Sequence, residues 1–303
     1  AAPMIVKGAV QSGATLQQGY ITVAALFGGL AAIPFLLIFA VIRERPRDPI
    51  QAEAPVSFRE MLQAAWRNVP FRFATGIYML NWMTFDLVAL MLPFFLLYWV
   101  AQGNLTASVN VLGDKVVLDS VVLGLLLITA VVALPLWAWL SHRFSKRSAY
   151  ITAMSFWAVV QMLILMVQPG QVGFILVLAV LAGLSVSSAH VLPDAIFPDV
   201  LEWDELRTRQ RREGIYYGVK NFIRKMAGAL AIFFALQVLG WFGYQSPPKG
   251  VALFQQPESA LTAIRVMTGP VGALLLCSAI LVAWFYPLTR ERHARIRRLL
   301  ARR

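Results

Sequence analysis

Long apolar runs alternate with short polar segments along nearly the whole chain. A membrane span needs roughly 20 apolar residues to cross about 30 Å of hydrocarbon. Seven runs meet that length, at about 20–42, 74–99, 120–140, 149–167, 172–192, 216–241 and 263–286. The third and fourth are separated by "SHRFSKRS", the fourth and fifth only by "QPGQ", a tight turn built on Pro169 and Gly170. Pro34, Pro93 and Pro135 fall inside runs, where neighbouring helices must re-satisfy the freed backbone groups. The pattern predicts an all-α integral membrane protein with seven transmembrane helices.

The polar segments orient the spans. Alternate loops, taken together, carry twenty Lys and Arg on one side and four on the other. Since cytoplasmic loops hold the excess of Lys and Arg, the N-terminus is expected outside and the C-terminus inside. On this reading residues 1–42 are an outer loop and a first span, and 43–70 is an inner connecting loop. Residues 71–290 form a six-helix bundle, and 291–303 form a basic inner tail. Within the connecting loop, "RERPRDPIQAEAP" reads as a linker. "VSFREMLQAAWRN" reads as a short amphipathic helix, with Ser57 and Glu60 as a capping box and Phe58, Met61, Leu62, Ala65 and Trp66 on one face. That face suits either the inner membrane surface or another part of the protein.

Composition agrees with the pattern. The 303 residues are 59% hydrophobic and 14% charged, where a soluble domain has about 25% charged residues. The net charge of +12 sits in the inner loops and tail. It therefore points to anionic cytoplasmic headgroups rather than to nucleic acid. One cysteine, Cys277, allows no internal disulfide or cysteine metal site, and the three histidines show no ligand spacing. No nucleophile–base pair stands at depth, so an enzyme is not expected. The chain starts without Met and without a basic and apolar leader, and it reads as the middle of a longer protein.

Charge inside spans is where function concentrates. The sixth run opens "YYGVKNFIRKMAGALA" and holds Lys220, Asn221, Arg224 and Lys225. Lys225, nine residues past Tyr216, lies roughly 13 Å into the membrane at 1.5 Å per residue. Three central cations cost roughly 8–10 kcal/mol to insert, and the apolar residues that follow return only about 4–5. The segment must face protein or water. Lys220 with Arg224 and Asn221 with Lys225 form two adjacent i, i+4 stripes. One can face a cavity while the other faces a neighbour or snorkels. The second run holds Asn81 and Asp86, and Asp86 reads as the only acid well inside any run, a counter-ion or a substrate hydrogen-bonding group. The fifth run carries His190 near its end. After it, Asp194, Asp199, Glu202, Asp204 and Glu205 meet Arg207, Arg209, Arg211, Arg212 and Glu213 in an expected loop over 194–213. That loop is either solvated or a set of ion pairs that reform during gating.

The segment "LPDAIFPDVLEWDELRTRQRREGIYYGVKNFIRKMAGALA" resembles the link between the tenth and eleventh helices of the glycoside–pentoside–hexuronide:cation symporters. This is the melibiose-permease-like branch of the major facilitator superfamily. "WLSHRFSKRSAY" resembles the superfamily's motif between helices eight and nine, with His142 where Asp is usual and Ser145 where Gly is usual. The resemblance implies a partial major facilitator fold, helices six to twelve of twelve, in a multi-pass protein of a bacterial inner membrane. It implies a secondary transporter working by alternating access, with cation-coupled (sodium or proton) symport of a sugar, glycoside or hexuronide. The same branch holds lysophospholipid symporters, which keep the lysine of the eleventh helix, so an anionic amphiphile is the alternative substrate.

Carried onto this sequence, the substrate-binding set is Lys225, Asn221, Lys220, Arg224, His190, Asp86 and Asn81. The gating set is Asp199, Glu202, Asp204, Glu205, Arg211, Arg212 and Glu213, with Arg143, Lys146 and Arg147 of the motif. No cofactor is implied. The coupling cation is expected mainly on helices one to five, which would be the partner of this bundle. A seven-helix receptor fits the span count too, but a retinal protein needs a lysine in the last span, and 263–286 has none.

Overall fold

The computed structural model describes residues 2–42, 57, 59, 63, 66–111, 114–209, 212–248 and 251–301. Among them, seven helices are long and apolar enough to cross a membrane. The chain divides into two compact units, residues 1–55 and 56–303.

The first unit is a helical hairpin, α1 (Ala2–Gln11) and α2 (Leu16–Val41). Thr15 caps α2 through its side chain, and Gln18 returns a bond to the cap backbone. This capping box starts the helix at Leu16, four residues ahead of the apolar run that marks it in sequence. Pro34 stays inside α2, whose apolar side chains are largely exposed, Phe39 at 87%. The linker 43–55, Glu60 of the expected capping box, and most of the amphipathic face expected after it lie outside the described residues. Trp66 is described, exposed, with the Arg72 guanidinium 6.0 Å from its ring.

The second unit is a bundle. Its helices are α3 (Val69–Phe94), α4 (Leu118–Arg143), α5 (Lys146–Leu163), α6 (Val172–Thr208), α7 (Glu213–Trp241), α8 (Glu258–Val266), α9 (Gly272–Trp284) and α10 (Arg290–Ala301). Pro93 ends the α-helical winding of α3, which continues as a wider π turn over Phe95–Val100. Pro270 sits in a similar π turn, Met267–Val271, that joins α8 and α9 into one span. α3 packs on α6, α7 and α9, α4 packs along α6, and α5 lies against α6 and α9. Gly183 lets α4 and α6 touch, since a Cβ there would stand 2.5 Å from the Leu126 carbonyl oxygen. The apolar interior forms two clusters along the bundle, one around Tyr150, Trp157, Phe197 and Tyr216, the other around Met91, Phe95, Ile264 and Leu239.

Two elements differ from the sequence reading. Residues 105–117 read as loop, yet Ser108–Val111 (β1) and Asp114–Val117 (β2) pair antiparallel, with Ser108 opposite Val117. The strands are β-branched at Val109, Val111, Val116 and Val117, which suits a short hairpin. The larger difference is α6. It does not end near residue 192. It runs to Thr208, where Arg209 takes a left-handed conformation at φ 60°. The expected loop over 194–213 is therefore mostly helix, and its acids stand on helical faces. Leu192, Ile196, Phe197 and Val200 are buried at helical spacing, and that burial outweighs Pro193 and Pro198. As a result, Asp194 stands on the helix that carries His190, within reach of α7.

Candidate functional site

α7 carries the polar stripe, and its geometry is decided by the neighbours of Lys220 and Arg224. Arg224 lies against Asp86 of α3 in a two-bond fork, Nη1 to Oδ2 at 2.6 Å and Nη2 to Oδ1 at 3.0 Å. This is the bidentate geometry that makes Arg–carboxylate pairs strong. The guanidinium also stacks 3.8 Å from the Trp82 ring centroid, one turn before Asp86. Gly228 makes room for the pair, because a Cβ at that position would stand 2.5 Å from Asp86 Oδ2 and 3.0 Å from Arg224 Nη1.

One turn earlier on α7, Lys220 is 8% exposed and pairs with Asp194 of α6. Its ammonium is ringed by aromatic faces, Phe197 at 4.7 Å, Tyr78 at 4.9 Å and Tyr217 at 5.3 Å. Charge, hydrogen bond and cation–π attraction thus offset the desolvation of a lysine at this position. His190 joins α6 to α3. Its ring meets Trp82 at 5.1 Å and Phe85 at 5.0 Å edge to face, with Nδ1 3.0 Å from the Val186 carbonyl. Asn81 is fully buried and donates to the Ala189 carbonyl at 3.0 Å, while its Oδ1 has no partner among the described residues.

The second stripe behaves differently. Asn221 and Lys225 are exposed on α7, and no hydrogen bond or ion pair holds Lys225 among the described residues. Among the described residues, α7 thus has two cations paired with carboxylates of neighbouring helices and a third, Lys225, on an open face. Beside this cluster runs an apolar groove of about 480 Å³. It is lined by Phe85, Val88, Leu127 and Val131 of α3 and α4, and by Val186 and His190 of α6.

The residues expected to gate lie toward the end of the bundle where α4 and α6 carry their basic residues. Lys146, at the start of α5, bonds Asp199 at 2.5 Å. His293 of α10 meets both Glu202 at 2.8 Å and Asp199 at 3.3 Å. Arg212 forks onto Asp204 with contacts of 2.8–3.1 Å. Glu205 and Glu213 line the same small depression as Arg212. Arg147 reaches no acid among the described residues. It lies over Trp284, 5.7 Å from the ring, and bonds that residue's carbonyl. Arg143 contributes its carbonyl, which Arg290 approaches at 3.4 Å. Arg211 lies outside the described residues. No group of three metal-ligating side chains occurs among the described residues.

Asp194, Trp82, Gly228 and His293 are contacts that the sequence reading did not assign to the site. Asp194 had a signal: His190, Asp194 and Phe197 share a helical face once α6 is continued past residue 192. Gly228 and His293 had none, since each matters only through a partner distant in sequence.

Comparison with known proteins decides what this bundle is. Residues 1–290 match the family described as MFS/sugar transport protein. The chain belongs to that family. It is an all-α, multi-pass membrane protein of the major facilitator type and a member of a transporter family. An uncharacterized symporter of Synechocystis is 33% identical over 247 residues, 80% of this chain and 43% of the relative. A sodium-dependent lysophosphatidylcholine symporter of Danio rerio is 24% identical over 263 residues, 85% of this chain and 45% of the relative. A sphingosine-1-phosphate transporter of Xenopus tropicalis is 26% identical over 168 residues, 55% of this chain and 31% of the relative. The chain spans about half the length, or less, of these curated relatives.

Proposed function

We propose that this chain supplies one half of a cation-coupled symporter whose substrate is an anionic or zwitterionic amphiphile, such as a lysophospholipid. It lies with its N-terminus outside and its C-terminus inside. The observation that carries this reading is the continuity of two chemistries. The apolar groove on α3 and α4 shares Phe85 and His190 with the polar cluster of Trp82, Asp86 and Arg224. An acyl chain suits the groove, where each buried methylene is worth about 0.8 kcal/mol. A phosphate suits the open cation Lys225 and the polar edge of Asn221. Lys220 and Arg224 already have carboxylate partners, so they hold the helices in register and set the local charge. Two of the relatives bear names of lipid symport or transport, which favours the same substrate class.

A sugar or hexuronide, as in the melibiose-permease-like branch, is the second reading, and the family's description favours it. A sugar site commonly stacks its ligand on an open aromatic face, whereas the Trp82 ring is covered by Arg224 at 3.8 Å. Coupling to sodium or protons, alternating access and a cation site on helices beyond this chain complete the proposal. Photo-crosslinking tests it. A lysophospholipid with a photoreactive acyl tail should label residues 123–134 of α4 and 85–92 of α3 in the intact protein. Labelling confined to helices other than α3, α4 and α6 would overturn the assignment.

A further inference from the structure

The basic end of the bundle contains a second cavity, of about 340 Å³, outside the proposed substrate groove. It is enclosed by the end of α4, the first turn of α5, the segment between α9 and α10, and α10 itself. Four fixed cations line it, Lys146, Arg147, Arg290 and Arg297, against the single carboxylate of Asp199. Lys146 already answers Asp199 at 2.5 Å. The other three have no carboxylate partner among the described residues. Arg147 is held by the Trp284 ring and carbonyl, and Arg290 donates to the Phe144 carbonyl at 2.8 Å. Carbonyl bonds orient a guanidinium without cancelling its charge. Arg297 is exposed and has no ion pair among the described residues. The N-terminus of α5 adds the positive end of a helix dipole.

A second observation points independently to a ligand. Tyr286 lines the cavity, is 4% exposed, and its hydroxyl has no hydrogen-bond partner among the described residues. A buried hydroxyl left unpaired costs about 1–3 kcal/mol. A tyrosine hydroxyl is protonated at neutral pH, so the group is a donor without an acceptor among the described residues. Next to it, Trp284 and Phe285 are exposed at the end of the last span, the level at which aromatic residues meet headgroups.

We infer that this cavity holds the phosphate group of an anionic bilayer phospholipid, with Arg147, Arg290 and Arg297 around the phosphate oxygens and the Tyr286 hydroxyl donating to one of them. Inorganic phosphate shares the oxyanion chemistry, but the interfacial position favours the lipid. Binding there ties α5 to α10 beside the Asp199 and Glu202 contacts of His293.

The test is a titration of the intact protein in non-ionic detergent with dihexanoylphosphatidylglycerol, dihexanoylphosphatidylcholine and inorganic phosphate, read by calorimetry. The phosphatidylglycerol should bind best. Tyr286→Phe, which removes only the hydroxyl, should weaken it about fivefold. Arg297→Gln should weaken it by a similar factor. Arg298→Gln, the same charge change one residue along and outside the cavity, should leave it unaltered. The inference is overturned if Arg298→Gln weakens binding as much as Arg297→Gln, if Tyr286→Phe binds like the unmodified protein, or if inorganic phosphate binds as tightly as the lipid.

Discussion

Gly228→Ala tests the Asp86–Arg224 pair without touching either charged residue. The added methyl would stand 2.5 Å from Asp86 Oδ2, the oxygen that makes the 2.6 Å bond, and 3.0 Å from Arg224 Nη1. Carbon contacts settle at about 3.5 Å or beyond, so the carboxylate must retreat by roughly 1 Å. At that separation the bond no longer meets hydrogen-bond geometry. Overpacking costs about 1–3 kcal/mol, and losing a charged hydrogen bond costs about 1.5–3. Alanine returns about 0.8–1.0 as the better helix former. The net expectation is a destabilisation of about 2–5 kcal/mol.

The same substitution in an Asp86→Ala background meets only the tip of Arg224, which can move aside. There it should be neutral or stabilising by up to about 1 kcal/mol. The sign of the effect therefore changes with the presence of the carboxylate. Equilibrium unfolding in mixed micelles, followed by circular dichroism across the four-member cycle, reads the coupling directly. An equal cost of Gly228→Ala in both backgrounds would refute the claim that the glycine exists to seat the ion pair.

Other consequences follow from the same geometry. Lys225→Ala should abolish or greatly reduce substrate uptake by the intact protein while membrane insertion stays normal, and unchanged uptake would remove Lys225 from the site. Gly183→Ala should lower the stability of the bundle by about 1–3 kcal/mol, because its Cβ meets the Leu126 carbonyl at 2.5 Å. Gly124→Ala on the neighbouring helix, where nothing lies within 4 Å, should not lower it, and paired thermal melts compare the two. Asp199→Asn should loosen α10, since Lys146 and His293 both answer to that carboxylate. Hydrogen exchange should rise in 290–301, and an unaltered rate there would show that the His293–Glu202 and Arg290–Phe144 contacts and the buried Ile296 hold α10 without Asp199.

The spans were legible in the sequence because their signal is cumulative. Some twenty apolar residues outweigh any local irregularity, so Pro34, Pro93 and Pro135 did not obscure them. Boundaries set by fewer residues were less legible. The apolar run of α6 stops near residue 192, where acids begin to alternate with apolar residues, whereas the burial of Ile196, Phe197 and Val200 that keeps the helix intact depends on other elements. The β hairpin was too short to rise above loop composition. The chemistry was legible by type and not by partner. The three cations of α7 stood out because insertion energy forbids them to face lipid unaided. Sequence alone could not say that Lys220 turns to Asp194 and Arg224 to Asp86, nor that Lys225 stays open, since the two stripes differ only by the neighbours they meet. His293 lay in a tail whose charge suggested headgroups, and its contact with Glu202 spans 91 positions.

The central claim is that one half of the substrate path combines an apolar groove with an open cation. The most direct measurement is uptake by the intact protein into vesicles, under an imposed sodium or proton gradient, of a labelled lysophospholipid beside a labelled glycoside. The cation-driven accumulation of the lysophospholipid, lost in Leu127→Trp, which fills the groove, is the predicted result. Accumulation of the glycoside alone, indifferent to Leu127→Trp, would contradict it.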